Sequence, residues 1–259
     1  MSISDHIKLE LCEGVLTIYL NRPERANAFT LAMVEVVQAA FRQASQDSQV
    51  RCVLITGNGN TFSAGHDVGE ILKAEGQSFR VHLQQTYNPL ILQIRRLEKP
   101  VIAAINGTAA GAGLGIALAC DLRIAAVDAN FVVGFMGIGL APDSGVALFL
   151  PVLIGLGRAI QFTFTNEPID AGQALAWGMI NRIVPAENLV TISLAYARQL
   201  AQGPVHAMGL AKRDYNKSML GNLEEVLDYE AHLQEIAGRG EEHKEGVRAF
   251  IEKRVPIFI

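Results

Sequence analysis

Short apolar segments typical of β-strands alternate with helical patterns along most of the chain, and this alternation limits the fold more than any other feature. The segments GVLTIYL (14–20) and CVLITG (52–57) are rich in β-branched residues and bounded by glycine. Between them, TLAMVEVVQAAFRQAS (30–45) carries apolar residues at helical spacing, with Thr30 as the expected N-cap. VIAAING (101–107) and DLRIAAVDANFVVG (121–134) continue the strand series. The sequence therefore predicts an α/β fold.

The pattern changes after residue 203. Three helical patterns then follow one another without a strand between them: GPVHAMGLAKRDYNKSM, NLEEVLDYEAHLQEIAG and EEHKEGVRAFIEKR. Asn222 and Glu225 have the spacing of a capping box at the start of the second pattern. With 259 residues, half of them apolar, the chain is long enough to bury one large core. We therefore expect a core of residues 1–203 followed by a helical region of residues 204–259.

The charge balance and the cysteines exclude several classes of function. The chain has 22 basic and 26 acidic residues and no basic cluster, so we expect no nucleic-acid partner. Cys12, Cys52 and Cys120 are far apart in the sequence, which favours reduced structural thiols over a disulfide or a metal site. No segment has the length and character of a signal peptide or a membrane span, so we expect a soluble, cytoplasmic protein with no membrane partner.

Two glycine-rich segments could bind an anion through backbone amides. In TFSAGHD (61–67), which follows a strand, Gly65 allows a tight turn that points the backbone N–H of His66 into a cleft. NGTAAGAGLG (106–115) is expected to begin a helix whose first amides lack partners and lie at the positive end of the helix dipole. Each segment could equally be a glycine turn that only permits close packing. Neither segment matches a dinucleotide-binding or Walker-type phosphate motif.

Asp143 is the only carboxylate in an apolar stretch, MGIGLAPDSGVALFLP (136–151). Burial disfavours an ionised acid, so a carboxylate here requires a partner, a substrate or a raised pKa. The alternative is an ordinary N-cap or turn residue, because the composition of PDSG is common in turns. Asp121, in ACDLRIA, is expected to be structural, either paired with Arg123 or capping a strand end.

The order of five motifs along the chain resembles one known family. The motifs are NRPERANAF, FSAGHD, KPVIAAINGTAAGAGLGIALACDLRIA, AWGMINRIVP and EGVRAFIEKRVPIF. Together they are similar to the crotonase (enoyl-CoA hydratase/isomerase) superfamily over nearly the whole chain. The resemblance implies a ClpP-like spiral of ββα units and a C-terminal helical region that packs trimers, often paired into hexamers. It also implies a coenzyme A thioester as the substrate, with no separate cofactor and no metal.

The resemblance further implies roles for individual residues. The backbone N–H groups of His66 and Ala112 would hold the thioester oxygen, while the His66 side chain is expected at the surface or the pocket rim with no role. Asp143 matches the position where enoyl-CoA isomerases and ring 1,2-epoxyphenylacetyl-CoA isomerases carry their acid or base. Gly115 and Phe135 stand where hydratases carry two glutamates. The residues implied in coenzyme A binding are Arg25, Ala26, Ala64, Asp67, Val68 and, from a neighbouring subunit, Lys253. Arg25 and Lys253 could equally lie on solvated helix faces without a ligand. Asp67 is also expected to fix its own loop.

We therefore expect an isomerase that shifts a double bond, or opens a ring epoxide, by proton transfer through Asp143. Three alternatives stay open: an enoyl-CoA hydratase, an acyl-CoA-binding protein that has kept the fold without the chemistry, and a dehalogenase in which Asp143 is the nucleophile. The dehalogenase needs a histidine base where this chain has Asn88. The acyl group depends on pocket residues in ILKAEGQSFRVHLQQTYNPLIL (71–92). That acyl group and the choice between trimer and hexamer both stay open.

Overall fold

The structure is a computed structural model that describes residues 6–73 and 78–258. The strands in these ranges are β1 Ile7–Cys12, β2 Val15–Leu20, β3 Cys52–Gly57, β4 Thr61–Ser63, β5 Val101–Ile105, β6 Thr108–Ala110, β7 Leu122–Ala126, β8 Asn130–Val132, β9 Ile169–Asp170 and β10 Arg182–Val184. They form two sheets. The larger sheet has the order β1–β2–β3–β5–β7–β10, and the smaller sheet has the order β4–β6–β8–β9.

The helices of the same ranges are α1 Leu31–Gln46, α2 Val68–Lys73, α3 Phe79–Gln85, α4 Tyr87–Arg96, α5 Ala112–Ala119, α6 Val146–Ile154, α7 Leu156–Thr165, α8 Ala171–Ala176, α9 Leu189–Gln202, α10 Val205–Met219, α11 Leu223–Gly238 and α12 Glu241–Glu252. Across this described part of the chain, no helix is both long enough and apolar enough to cross a membrane.

Three consecutive pairs of strands build the centre of the molecule. The pairs β3 with β4, β5 with β6 and β7 with β8 each give their first strand to the larger sheet and their second strand to the smaller one. A helix or a helical turn follows each pair. The chain therefore advances through repeated ββα units, which confirms the alternation predicted from the sequence.

The larger sheet is buried on both faces, which explains why its inner strands are almost entirely apolar. Alternate residues of β3 lie on opposite faces. Val53 and Ile55 belong to the main core together with residues of α1, α4 and α5. Cys52 and Leu54 pack on the other face, beneath α9. The sheet therefore holds the loops at its strand ends on a rigid base.

The helix cap predicted at Thr30 is present, and the one predicted at Asn222 is not. The Thr30 side chain accepts a hydrogen bond from the N–H of Met33 at the start of α1. Asp170 accepts one from the N–H of Gln173 at the start of α8. The capping box predicted for α11 is wrong, because Asn222 makes no such side-chain bond. Its backbone, with φ −103° and ψ 15°, is not in the extended conformation of a capping residue.

Helices α10, α11 and α12 follow residue 203 without a strand between them, as predicted, and they pack directly on the preceding elements. Asp121 forms ion pairs with Lys212 of α10 and Arg95 of α4, each over 2.9 Å. Asp121 is thus structural, and the strand-end cap predicted for it is confirmed, because its Oδ2 accepts a hydrogen bond from the N–H of Val101 at the start of β5 over 2.9 Å. The alternative pairing with Arg123 is not formed, since the Arg123 guanidinium donates to backbone carbonyls instead. The division of the chain into domains at residue 203 stays a prediction.

Candidate active site

The loop that carries His66 is held against the loop that carries Phe29. The N–H of Phe29 donates to the carbonyl of Gly65 over 2.7 Å, and the N–H of Asp67 donates to the carbonyl of Phe29 over 2.9 Å. These two bonds form a parallel bridge between Phe29 and His66. Because the bridge uses both backbone groups of Phe29, the N–H of His66 lies on the opposite side. The loop pairing therefore leaves the His66 amide available to a ligand.

The second glycine-rich segment lies directly against this loop. Gly65 has φ +93°, and a Cβ atom on it would lie 3.0 Å from the carbonyl oxygen of Ala110 and 3.3 Å from the amide nitrogen of Ala112. Glycine alone combines this conformation with so close an approach. Ala112 is the first residue of α5, so its N–H has no partner inside the helix. The structure thus brings the His66 and Ala112 amides close together, and neither donates to an acceptor among the described residues.

Asp143 is buried, with 7% of its surface exposed. Its Oδ1 accepts a hydrogen bond from the Ser144 hydroxyl, and its Oδ2 accepts one from Nε2 of Gln234, each over 2.6 Å. Burial raises the pKa of Asp143 to about 6, although the two hydrogen bonds act in the opposite direction. Asp143 is therefore ionised at neutral pH and is a stronger base than an exposed aspartate.

The side chain of Asp143 does not cap the helix that follows it. Glu230 of α11 binds the amides at the start of α6 instead: Gly145 donates to Oε2 over 2.8 Å, and Ala147 donates to Oε1 over 2.9 Å. Asp143 does begin a turn, since its carbonyl accepts a hydrogen bond from the N–H of Val146. The turn uses only the backbone of Asp143, so it does not account for a buried carboxylate.

The two positions that the family resemblance assigns to hydratase glutamates hold no acid. A Cβ atom on Gly115 of α5 would lie 2.6 Å from the Cβ atom and 2.7 Å from the carbonyl oxygen of Ser144. Phe135 is buried and belongs to the main core. The space that a side chain at residue 115 would need is therefore taken by the residue next to Asp143.

An aromatic cluster that the sequence did not predict lies beside the His66 loop. The Nδ1 atom of His66 is 2.9 Å from the hydroxyl oxygen of Tyr87, and the His82 ring packs edge-on against the His66 ring at a centroid distance of 4.7 Å. Burial, together with the charge of His82, lowers the pKa of His66 to about 4, although the charge of Asp67 acts in the opposite direction. The His66 side chain, expected at the surface or rim with no role, is therefore a neutral imidazole bonded to a buried tyrosine.

Tyr87 lies in the same buried region as Asp143. Burial raises the pKa of the Tyr87 hydroxyl well above its usual value, and the negative charge of Asp143 raises it further. Tyr87 and His82 both fall in the segment 71–92, which was expected to line the acyl pocket. Residues 74–77 of that segment lie outside the described residues. No local spacing relates either side chain to His66, so the sequence carries no signal for this cluster.

Asp67 holds its own loop, as the sequence analysis expected. Its Oδ2 forms an ion pair with Arg22 over 2.5 Å, and its Oδ1 accepts a hydrogen bond from the N–H of Gly69 over 2.8 Å. Burial opposes ionisation of Asp67, but these bonds outweigh it and hold the pKa of Asp67 below its ordinary value. Arg22, which the sequence analysis did not single out, is thus the partner that fixes the loop.

Five of the six residues implied in coenzyme A binding lie on two adjoining loops. The N–H of Ala64 donates to the carbonyl of Ala26 over 3.0 Å, which joins the loops near Arg25 and Val68. Lys253 is exposed at the end of α12, and its side chain forms no hydrogen bond or ion pair with any residue that the structure describes. These roles in coenzyme binding stay predictions.

The position of the dehalogenase base carries no basic group. Asn88 is buried, and its Nδ2 donates to the carbonyl of Leu227 over 3.0 Å. Within residues 6–73 and 78–258, no three or more His, Cys, Asp or Glu side chains lie together in a cluster that could hold a metal ion.

The sequence matches the family model for enoyl-CoA hydratase/isomerase over residues 10–259. It is 39% identical over 249 residues to the 1,2-epoxyphenylacetyl-CoA isomerase of Escherichia coli (strain K12), a match that covers 95% of each chain. It is 36% identical to 4-chlorobenzoyl coenzyme A dehalogenase-2 of Arthrobacter sp over 242 residues, which cover 92% of this chain and 87% of the relative. The crystal structure of an enoyl-CoA hydratase from Mycobacterium avium subsp. paratuberculosis K-10 has a TM-score of 0.90 and 31% identity, covering 98% of each chain. The chain therefore belongs to the enoyl-CoA hydratase/isomerase family and has the crotonase fold.

Proposed function

We propose that this protein is an isomerase of coenzyme A thioesters that moves a double bond by carrying a proton between two carbon atoms of the acyl chain. Asp143 carries the proton, and the backbone N–H groups of His66 and Ala112 hold the enolate oxygen. The coenzyme is part of the substrate, and no further cofactor takes part. Membership of the enoyl-CoA hydratase/isomerase family supports an enzyme that acts on such thioesters.

The reaction begins when Asp143 removes a proton from C2 of a 3-enoyl thioester. The C2–H bond breaks, an O–H bond forms on Asp143, and the electron pair enters an enolate that extends along the conjugated chain. The two amide donors stabilise this oxygen charge more than they stabilise the neutral thioester, and loss of one such donor typically costs about 3 kcal/mol of barrier. Asp143 then gives the proton to C4. The product is the 2-enoyl isomer, and Asp143 is ionised again.

The observation that carries this proposal is the contrast between Asp143 and the two hydratase positions. Hydration needs one group that activates water and another that protonates carbon. Gly115 packs on Ser144 and Phe135 lies in the core, so neither position can supply such a group. A single buried carboxylate with a pKa of about 6 is sufficient for a proton shuttle.

The proposed coenzyme site runs across the two adjoining loops. Arg25 supplies an exposed positive charge there for the coenzyme phosphates. Lys253, which is exposed at the end of α12, would add a second charge from a neighbouring subunit of a trimer. The two loops would also contact the pantetheine and the adenine, through Ala26, Ala64, Asp67 and Val68.

A ring epoxide is a second substrate that the same groups could open. The relative from Escherichia coli is named for 1,2-epoxyphenylacetyl-CoA. Removal of a proton beside the thioester carbonyl of such a molecule also forms an enolate. The reaction therefore needs the same base and the same two amides. Straight-chain and ring thioesters are therefore tested side by side.

Mass spectrometry of separate incubations tests the proposal. We expect a 3-enoyl-CoA to become its 2-enoyl isomer without a change in mass, and a 2-enoyl-CoA to gain water far more slowly. Asp143→Asn is the control, and it should abolish the isomerisation. Faster water addition would make the protein a hydratase, and chloride release from 4-chlorobenzoyl-CoA would make it a dehalogenase. Tight binding of these thioesters without turnover would make it a binding protein.

A further inference from the structure

Two residues of α11 extend from the C-terminal helical region to the Asp143 turn. Glu230 and Gln234 are one helical turn apart and both are buried. Glu230 accepts hydrogen bonds from the amides of Gly145 and Ala147, on the C-terminal side of Asp143. Gln234 donates to the Asp143 carboxylate itself. The same helix face therefore binds both the backbone of the turn and its side chain.

The backbone of this turn needs support. Ser144 has φ +56° and Gly145 has φ +79°, so two successive residues are left-handed. Ser144 is not a glycine, and such a conformation costs free energy that the surroundings must offset. Gly145, the N-cap of α6, has no side chain that could bind the first amides of the helix. Glu230 binds them from α11, which fixes the turn and leaves the Asp143 carboxylate free of the helix end.

The hydrogen bonds of Asp143 favour one orientation of its carboxylate. Ser144 donates to Oδ1, and Gln234 donates to Oδ2. Each oxygen keeps a lone pair that can accept a proton from carbon. Both donors favour the ionised form of the carboxylate, which is the form that acts as a base.

We propose that Glu230 and Gln234 are positioning residues of the active site, Glu230 by fixing the Asp143 turn and Gln234 by orienting the Asp143 carboxylate. The C-terminal helical region thus contributes to the active site of its own chain as well as to any assembly. This inference rests on the proposed function of Asp143 as the base. In the described ranges, the titratable groups whose charges interact with Asp143 are Glu230 of α11 and Tyr87 of α4.

Gln234→Met tests the contact with the carboxylate, because methionine keeps the length of glutamine and removes the donor. Loss of a donor to the ionised form raises the pKa of Asp143, so the acid limb of the kcat/KM profile should move up by about one pH unit. KM should change little, since Gln234 does not lie on the coenzyme loops. Rate loss with an unmoved acid limb would overturn the role of Gln234.

Gln38→Met is the matched control. Gln38 is also a buried glutamine, and its Nε2 donates to the backbone carbonyls of Gln85 and Thr86 rather than to Asp143. Its replacement should lower the stability of the protein and leave the acid limb in place. An equal shift of the acid limb in both variants would show that removing any buried glutamine amide has this effect, and it would overturn the inference.

Glu230→Gln tests the support of the turn. A glutamine offers one oxygen to two amide donors, so one of the bonds to Gly145 or Ala147 is lost. We expect kcat to fall about tenfold while KM is nearly unchanged. A variant with normal kcat, or one that changes KM alone, would overturn the role of Glu230.

Carbon-13 NMR of the Asp143 carboxyl separates failure of this inference from failure of the proposed function. If Asp143→Asn keeps its rate, Asp143 is not the base and the proposed function fails whatever the state of Gln234. If Asp143→Asn is inactive but the measured pKa of Asp143 is the same in the native protein and in Gln234→Met, the inference fails alone. A pKa that rises in Gln234→Met supports it.

Discussion

Gly115 of α5 lies so close to Ser144 that a Cβ atom at residue 115 would be 2.6 Å from the Cβ atom of Ser144. Ala112 lies three residues earlier on the same helix, at its first position. About one turn of α5 therefore separates the amide proposed to bind the enolate oxygen from the contact that supports the Asp143 turn. Because a helix is rigid, α5 sets the spacing between these two parts of the site.

Gly115→Ala should lower both the free energy of unfolding and kcat/KM. The added methyl group overlaps Ser144 and displaces the Asp143 turn, and overpacking of this kind typically costs about 1–3 kcal/mol. Urea unfolding and a rate measurement at one pH check the two effects. Gly157→Ala is the matched control, because a Cβ atom at Gly157 in α7 meets nothing within 4 Å. That variant should gain up to about 1 kcal/mol of stability, and similar losses in both variants would contradict the packing argument.

Asp143→Asn should reduce the rate by about 100-fold or more while the protein stays folded and binds coenzyme A. Asparagine keeps the shape of aspartate without its basicity. The Gln234 amide can rotate so that its buried Oε1, which has no hydrogen-bond partner in the described structure, accepts from the new amide. Coenzyme binding by calorimetry and turnover by mass spectrometry are the measurements. A variant that retains most of its rate would remove Asp143 from the mechanism.

The same variant should be more stable than the native protein above about pH 6. Burial raises the pKa of Asp143 from 3.8 to about 6, so the ionised carboxylate destabilises the folded state by about 3 kcal/mol. Asparagine carries no charge and avoids this cost. Thermal unfolding at a pH above 6 should therefore give a higher midpoint for Asp143→Asn, and an equal or lower midpoint would contradict the burial argument.

Local patterns were sufficient to predict the order of the elements. The strand in CVLITG depends only on neighbouring residues, because it is a β-branched run that ends at a glycine. The cap of α1 at Thr30 is local in the same way. The supports of the site depend on distant segments instead. Gln234 is 91 residues from Asp143, and Glu230 is 85 residues from Gly145. No periodicity within either segment encodes that contact, so it appears only once the chain is folded.

For His66, the sequence predicts the position of the backbone amide but not the environment of the ring. Gly65 next to it predicts a tight turn, and that turn is present with φ +93°. The ring lies beside Tyr87 and His82, which come from two later helices. His66 is half-buried, so of the two places expected for its side chain the pocket rim fits and the open surface does not. Asp121 illustrates the same limit, because its partners come from α4 and α10 rather than from its near neighbour Arg123.

The protein should form a trimer or a pair of trimers through the helices after residue 203. Ile236 of α11 remains 58% exposed in a single chain, and further exposed apolar residues lie at the end of the chain. They are Phe250, Ile251, Val255, Ile257 and Phe258. We expect a partner surface to cover large apolar residues that a single chain leaves exposed. Light scattering at micromolar concentration measures the mass, and a stable monomer would contradict the prediction.

The pH profile of kcat/KM should have its acid limb near pH 6. Asp143 must be ionised to remove a proton from carbon, and burial raises its pKa to about 6. An exposed aspartate would instead give a limb near its ordinary pKa of 3.8. A rate that is already constant at pH 5 would contradict the assignment of a buried base.

The alkaline side of the profile should depend on Glu230. Burial, together with the charge of Asp143, raises the pKa of Glu230 to about 8, although the amides of Gly145 and Ala147 act in the opposite direction. Above pH 8 a second negative charge would therefore lie beside Asp143 and oppose formation of the enolate. We expect the rate to fall there in the native protein and to stay level in Glu230→Gln, whatever the absolute rate of that variant. An alkaline limb that persists in Glu230→Gln would assign it to another group.

Stability should fall as the pH rises through the same two values. Both carboxyl groups have a higher pKa in the folded protein than their ordinary values of 3.8 and 4.5, so the folded state binds these protons more tightly than the unfolded state. Their stabilising contribution is complete below about pH 4 and is lost progressively, between about pH 4 and pH 6 for Asp143 and between about pH 4.5 and pH 8 for Glu230. Urea unfolding across this range should show stability that falls up to about pH 8 in the native protein, with a smaller slope above pH 6. The fall should end near pH 6 in Glu230→Gln and should keep only the smaller slope, up to about pH 8, in Asp143→Asn. Identical pH dependence in the three proteins would mean that neither carboxyl group is buried in the way the structure describes.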